Sequence, residues 1–160
     1  MCGILIPTSH LERLDAIQRR AVKWILKEQY QSYQDSEFLM KQQNLDLLPI
    51  GYKLKLTDLV LFHKIVYKTV QIVMPNYIFQ LTQDSVPNTR KNAEIYNGSD
   101  ELVFGCSVRP RVDAFRYSFF PRTVSLWNNI PLQSRQVESN DKFTVLLKEH
   151  FWTLLIGKPD

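Results

Sequence analysis

The sequence predicts a mainly α-helical protein: a small, irregular domain of four to five helices with a long loop or a short β-hairpin in the middle. Several segments repeat apolar residues at helical spacing. The stretch 80–100 is rich in polar residues and glycine and is expected to form a flexible loop. With 160 residues, 44% of them hydrophobic and 22% charged, the chain suits a single domain spanning 1–160.

The first helix is predicted from Ser9 to about Glu28. Ser9 and Glu12 have the spacing of a capping box, in which each side chain binds the other residue's backbone amide. We interpret the segment as an amphipathic surface helix that is solvated on its basic side. A basic helix that binds nucleic acid or an acidic partner is the alternative. The residues of the apolar face are Leu11, Leu14, Ile17, Ala21, Trp24, Ile25 and Leu26.

Two further helices are predicted in the first half of the chain. A short one runs from Asp35 to Gln43, with Asp35 or Ser36 as its cap. A longer one runs from about Gly51 to Val70 and is apolar around much of its circumference, which is typical of a central helix in a bundle. His63 lies within this helix and is interpreted as a packed or hydrogen-bonded histidine rather than a ligand.

The second half of the chain is predicted to form short strands and then helices. Residues 102–104 and 106–108 are candidates for two short strands with Gly105 between them. Ser118 is a candidate N-cap, and Pro121 suits the first turn of a helix that reaches Asn128 before Pro131. The last helix begins at Ser139 or Asn140, with one apolar stripe made by Phe143, Leu146, Leu147, His150, Phe151 and Leu154.

No known catalytic or ligand-binding motif is complete in this chain. The phosphate-binding patterns GxxxxGK[ST] and GxGxxG are absent, as are the HExxH and GxSxG patterns. Cys2 and Cys106 are not paired with the dispersed histidines at metal-ligand spacing, and Asp100 and Glu101 lie in the polar loop. We therefore expect no enzymatic activity, no catalytic residue, no metal site, no cofactor and no small-molecule substrate.

Charge and cysteine content indicate the kind of environment. The net charge of +4 and the isoelectric point near 9.1 permit an anionic partner. Two cysteines without a signal-like N-terminus favour a reducing, intracellular location. No apolar run is long enough to cross a bilayer, so no membrane contact is expected.

The most distinctive segment runs from Arg109 to Trp127 and combines arginines with aromatic residues. The segment contains four arginines and a single acidic residue, Asp113, so its net charge is +3. One interpretation is a nucleic-acid contact, because arginine binds phosphates and aromatic rings stack on bases. The other is that the aromatic residues fill the core while the arginines extend along its surface. The candidate contacts are Arg109, Arg111, Arg116, Tyr117 and Arg122, and the candidate structural anchors are Phe119, Phe120 and Trp127.

Three stretches of the chain resemble one family. The sequence FRYSFFPRT at 115–123, followed by WNNIP at 127–131, resembles a signature at the C-terminal end of non-LTR (LINE-type, jockey-like) retrotransposon reverse transcriptases. Residues 11–26 are similar to a helix that follows the thumb of those enzymes, and residues 143–151 to their terminal helix. The order and spacing of the stretches agree along nearly the whole chain.

The resemblance implies a non-catalytic role. The family's Tyr/Phe-x-Asp-Asp metal site and its endonuclease are absent from this chain. We therefore expect a C-terminal accessory segment of an RNA-directed DNA polymerase, which contacts RNA or DNA or packs on the thumb. The alternatives are a functionless fragment of a truncated element and a helical protein-interaction module. In the latter, the helix around Val60 and the terminal helix contact the missing polymerase domains.

Overall fold

The fold is mainly helical, as predicted. A computed structural model describes residues 8–27, 36–81, 102–108 and 111–157, so Arg109 and most of the predicted 80–100 loop lie outside the described residues. The described residues form seven helices and one antiparallel sheet of two strands. The elements are α1 (Thr8–Leu26), α2 (Ser36–Asn44), α3 (Ile50–Val66), β1 (Ile78–Gln80), β2 (Phe104–Cys106), α4 (Asp113–Arg116), α5 (Phe119–Asn128), α6 (Leu132–Arg135) and α7 (Asn140–Ile156).

The described residues divide into two compact units, each with its own buried side chains. The strand-bearing unit runs from Asp58 to Phe143. The all-helical unit combines the described residues up to Thr57 with those from Thr144 onward. The boundaries between the units fall inside α3 and α7.

In the all-helical unit, α1 is attached through polar side chains. The Gln18 side-chain amide donates to the carbonyl oxygen of Leu48 at 2.8 Å, and the Asp15 carboxylate accepts from the Ile50 amide at 2.8 Å. Ile50 is the first residue of α3, where backbone N–H groups lack helical partners and a negative charge is favoured. Val22, on the same side of α1, is fully buried.

The apolar face predicted for α1 is therefore not the buried one. Exposed fractions are 42% for Leu14, 62% for Ile17 and 83% for Trp24. The prediction was wrong because hydrogen bonds from Gln18 and Asp15 hold the neighbouring face of the helix against the unit. The helix also begins at Thr8 rather than after Ser9, so Ser9 is not the residue that precedes it.

The last helix contributes a buried face to the same unit. Leu147 is fully buried, and Phe151 packs edge-on against Tyr52 with ring centroids 5.4 Å apart. The predicted stripe is only partly correct, since Leu146 and Leu154 are 37% and 59% exposed. Trp152, which was not included in the stripe, is buried. An exposed ion pair joins α7 to the residues after α2, with 2.6 Å between Lys148 Nζ and Asp46 Oδ2.

The long helix α3 ends at Val66, four residues before the predicted end. Lys68 adopts a left-handed conformation with φ 55°. The Thr69 amide donates to the Lys64 carbonyl at 2.9 Å and the Lys68 amide to the Ile65 carbonyl at 3.1 Å. These two bonds form a Schellman motif, which usually has glycine where this chain has lysine.

The sheet pairs strands that are distant in the sequence. β1 and β2 are antiparallel, with Ile78 opposite Cys106 and Gln80 opposite Phe104. The two short strands predicted at 102–104 and 106–108 are a single strand, Phe104–Cys106, and β1 is its antiparallel partner. Gly105 lies inside β2, where a Cβ atom would come within 2.8 Å of the Phe79 ring.

An aromatic cluster forms the core of the strand-bearing unit. Trp127 is fully buried, and its ring centroid lies 5.2 Å from that of Phe62 and 5.8 Å from that of Phe143. Phe104, on β2, packs edge-on against Phe62 at 5.4 Å. Edge-on contacts of this kind add to the stabilisation that comes from burying the rings.

His63 belongs to this cluster and is fully buried, as the sequence indicated. Its ring stacks on Phe143 with centroids 4.2 Å apart, and its Nε2 donates to the Val137 carbonyl at 2.7 Å. Burial lowers the pKa of His63 below 6.5, although the bond to Val137 acts in the opposite direction. The buried Nδ1 atom has no hydrogen-bond partner among the described residues, which disfavours protonation there.

We predict that His63 makes folding stability depend on pH. In the unfolded chain it binds a proton near pH 6.5, whereas the folded protein resists protonation until the pH is lower. The free energy of unfolding should therefore fall as the pH decreases through about 6.5. Urea unfolding at about pH 7.5 and about pH 5.5 should show a smaller loss for His63→Gln than for the natural chain.

A His150→Gln variant is the control for that experiment, because burial also lowers the pKa of His150. Comparing the two single variants separates the contributions of the two histidines. An equal loss of stability in the natural chain and in His63→Gln would contradict the prediction.

Candidate nucleic-acid interface

Two short turns of the backbone, before α4 and between α4 and α5, determine the path of the arginine-rich segment. The extended residue Val112 precedes α4, and the Tyr117 amide donates to the Asp113 carbonyl at 2.9 Å. Ser118 then precedes α5 with φ −65° and ψ 161°, the position predicted for the N-cap. Its hydroxyl donates to the Phe115 carbonyl at 2.7 Å and makes no hydrogen bond to α5. Ser118 therefore fixes the turn between the two helices.

The Trp-Asn pair at the end of α5 binds the residues of β2 and those before it. The Trp127 indole donates to the Leu102 carbonyl at 2.8 Å. The Asn128 side chain donates to the Phe104 carbonyl at 2.8 Å and accepts from the Phe104 amide at 3.2 Å. Asn128 thus satisfies both backbone groups of Phe104, a role that the sequence analysis did not assign to it.

Arg122 is held by groups of its own unit. Its Nη2 lies 2.7 Å from Asp58 Oδ2, and its Nη1 donates to the Tyr117 carbonyl at 3.1 Å. The side chains of Arg122 and Asp58 are 31% and 20% exposed. Burial raises the pKa of Asp58 even though the Arg122 charge lowers it, so the cost of burying the carboxylate exceeds the gain from the pair. The ion pair therefore fixes geometry, linking α3 to the junction of α4 and α5.

We predict that removing only one member of this pair destabilises the protein. Asp58→Ala leaves the half-buried Arg122 guanidinium without its carboxylate and should lower the free energy of unfolding by about 1–3 kcal/mol. The double variant Asp58→Ala, Arg122→Met should cost less than the sum of the single changes, as measured by urea unfolding.

Asp113→Ala is the control, because its pair with Arg116 is exposed. That change should alter the free energy of unfolding by less than about 0.5 kcal/mol. Additive costs for Asp58→Ala and Arg122→Met would show that the pair does not couple the two residues.

Three other candidate contacts are exposed within one short stretch of the chain. Arg111 and Arg116 are exposed, and Tyr117 is 43% exposed. Arg116 Nη1 is 3.5 Å from Asp113 Oδ1, but these side chains are 58% and 74% exposed. A pair so exposed contributes little energy, so Arg116 can exchange Asp113 for another anion at low cost.

A shallow apolar groove adjoins these residues. It has a volume of about 510 Å³ and is lined by Val108, Arg111, Val112 and Phe115. The ring of Phe115 also packs edge-on against that of Tyr77, with centroids 5.4 Å apart. An apolar surface next to a guanidinium group suits a nucleotide, whose flat base can stack on the surface while its phosphate binds the guanidinium.

The candidate anchors differ in their surroundings. Trp127 is fully buried, whereas Phe119 and Phe120 are half-buried and pack edge-on against each other at 5.1 Å. Arg109 lies outside the described residues. The structure therefore places Arg111, Arg116 and Tyr117 together on an exposed stretch, and places Arg122 and Trp127 in contacts that maintain the fold. We call residues 111, 116 and 117 the basic-aromatic patch.

Among residues 8–27, 36–81, 102–108 and 111–157, no group of three His, Cys, Asp or Glu side chains is placed to hold a metal ion. Within those ranges, no helix has the length and apolar character needed to cross a membrane.

Comparisons with known proteins assign no family. The chain matches no protein-family model, and neither curated proteins nor solved structures give a match. The features that indicate a function are therefore the geometry of residues 111–128 and the sequence motifs in the same segment.

Proposed function

We propose that this chain is a non-catalytic C-terminal accessory segment of a retrotransposon-type RNA-directed DNA polymerase that contacts single-stranded nucleic acid. The observation that carries the proposal is the basic-aromatic patch. Arg111, Arg116 and Tyr117 are exposed on one short stretch, while neighbouring side chains are held in the fold. The motif at 115–123 that resembles the reverse transcriptases includes Arg116 and Tyr117.

Each residue of the patch has a physical role in this proposal. The guanidinium groups of Arg111 and Arg116 bind phosphate oxygens, since their planar donors match such anions. Tyr117 stacks on a base, a contact worth about 1–3 kcal/mol. Contacts to the phosphate backbone carry no information about the base sequence, so the binding should be largely independent of the sequence of the nucleic acid.

The surrounding residues position the patch. Arg122 binds the Tyr117 carbonyl and so holds the backbone next to the stacking ring. Trp127 and Asn128 attach α5 to β2 and to the residue Leu102. Arg109 is two residues from Arg111 in the sequence and carries a further positive charge.

In this proposal the chain binds but does not catalyse. Polymerase and nuclease chemistry uses clustered carboxylates that hold two metal ions. The resemblance assigns those carboxylates to the palm and to the endonuclease, whose motifs do not occur in this sequence.

We predict that the chain binds single-stranded RNA with an affinity that falls steeply with salt. Anisotropy of a labelled oligouridine of about 20 nucleotides, titrated between about 50 and about 200 mM KCl, gives the slope of log K against log salt. Arg111→Ala and Arg116→Ala should each reduce that slope by about 0.7. Tyr117→Ala should weaken binding about 5-fold to 150-fold, whereas Tyr117→Phe should keep most of the affinity.

Lys142→Ala is the matched control, since it removes one exposed positive charge outside the patch. It should leave the slope close to that of the natural chain. Oligothymidine in place of oligouridine tests the preference between RNA and DNA. An affinity that is absent, or that none of the three patch variants changes, would refute the proposal.

A second candidate function is a module that packs on other polymerase domains. It is favoured by the apolar side chains that α7 exposes on one side, with exposed fractions of 37% for Leu146 and 59% for Leu154. Exposed apolar residues on one helix are typical of surfaces that another protein covers. Light scattering of the purified chain separates the two candidates, because a clean monomer that binds RNA favours the first.

A further inference from the structure

Helix α1 exposes a row of apolar residues with the spacing of a coiled-coil seam. Leu14, Ile17, Ala21 and Trp24 follow one another at intervals of three, four and three residues, and all four are exposed. The exposed fraction reaches 62% at Ile17 and 83% at Trp24. In heptad notation Leu14 and Ala21 take a positions, and Ile17 and Trp24 take d positions. We call these four residues the α1 seam.

The α1 seam is separate from the contacts that hold the helix in its own unit. Those contacts come from Gln18 and Asp15, which bind backbone groups of Leu48 and Ile50. Val22 is buried on that side of the helix. A helix that packs on the four seam residues leaves Asp15 and Val22 in their contacts and meets Gln18 only at the edge of the seam.

One edge of the seam is positively charged. Arg13, Arg20 and Lys27 recur every seven residues and are all exposed. They take the g positions, which flank the a residues. The e positions on the other edge hold Gln18 and Ile25, which are uncharged. The seam thus carries three cations along one edge and none along the other.

This charge pattern selects the partner. In an antiparallel pair of two copies, g positions face g positions, so Arg and Lys would oppose each other. In a parallel pair, g positions face e positions, where a second copy offers Gln18 and Ile25 rather than an acid. A helix with glutamate or aspartate at the facing positions supplies the missing negative charges.

We propose that the α1 seam binds an amphipathic helix of another protein, one that has an apolar a/d stripe with acidic residues beside it. The apolar stripe buries Trp24 and Ile17, and the acidic residues pair with Arg13, Arg20 and Lys27. Such charges set partner choice and orientation, because the wrong sign is repelled. This contact is independent of the basic-aromatic patch and uses none of its residues.

The test uses a designed peptide and the fluorescence of Trp24. The probe has leucine at a and d and glutamate at e and g, and its control has lysine at e and g. Of the three tryptophans, Trp127 and Trp152 are 0% and 4% exposed. Quenching by acrylamide in the full chain therefore reports mainly on Trp24, and binding of the probe should protect it from quenching.

The expected result is a preference for the acidic peptide over the lysine peptide of about tenfold or more in Kd. The double variant Arg13→Glu, Arg20→Glu should reverse that preference. The control double variant, Lys68→Glu with Lys142→Glu, makes the same change in net charge at exposed positions outside α1. It should retain the preference for the acidic peptide. Oligouridine binding by the Arg13, Arg20 variant should stay close to that of the natural chain.

Several results would overturn the proposal. Protection of Trp24 by both peptides alike, or by neither, would show that the flanking charges select nothing. Protection by vesicles of phosphatidylcholine and phosphatidylserine without protection by the acidic peptide would assign the seam to a lipid surface. Concentration-dependent dimers that Trp24→Glu abolishes would assign the seam to a second copy of the chain.

Discussion

The buried indole of Trp127 is the contact on which the strand-bearing unit depends. It packs against Phe62 and Phe143 while its N–H donates to the Leu102 carbonyl. A tryptophan can be fully buried at low cost only when that donor finds an acceptor. Asn128 then binds both backbone groups of Phe104, so the end of α5 holds β2 in place.

The residues of the arginine- and aromatic-rich segment divide between contacts inside the fold and positions on the surface. Trp127 fills the core and Arg122 pairs with Asp58, as expected if the segment is structural. Arg111, Arg116 and Tyr117 remain on the surface, which both interpretations allow. Anchoring one side of a short segment leaves its other side ordered, which reduces the entropy lost on binding.

The sequence predicted the helical class and the approximate positions of the longer helices, because apolar spacing and proline positions are local signals. It did not predict which face of α1 is buried, since two polar side chains, Gln18 and Asp15, make the contacts that decide it. It also missed the end of α3, where Lys68 takes a conformation that favours glycine. The pairing of β1 with β2 is a long-range contact that no local pattern indicates.

For the candidate site, the sequence identified which residue types are close together in the chain but not which side chains are free of contacts within the fold. Arg122 and Arg116 are equivalent in the sequence, yet only Arg122 has a partner on a distant helix, Asp58. The most direct test is ultraviolet cross-linking of oligouridine to the natural chain, followed by mapping of the modified peptide. The account predicts cross-links within residues 111–117, including Tyr117. Cross-links confined to Trp24, or none at all, would contradict it.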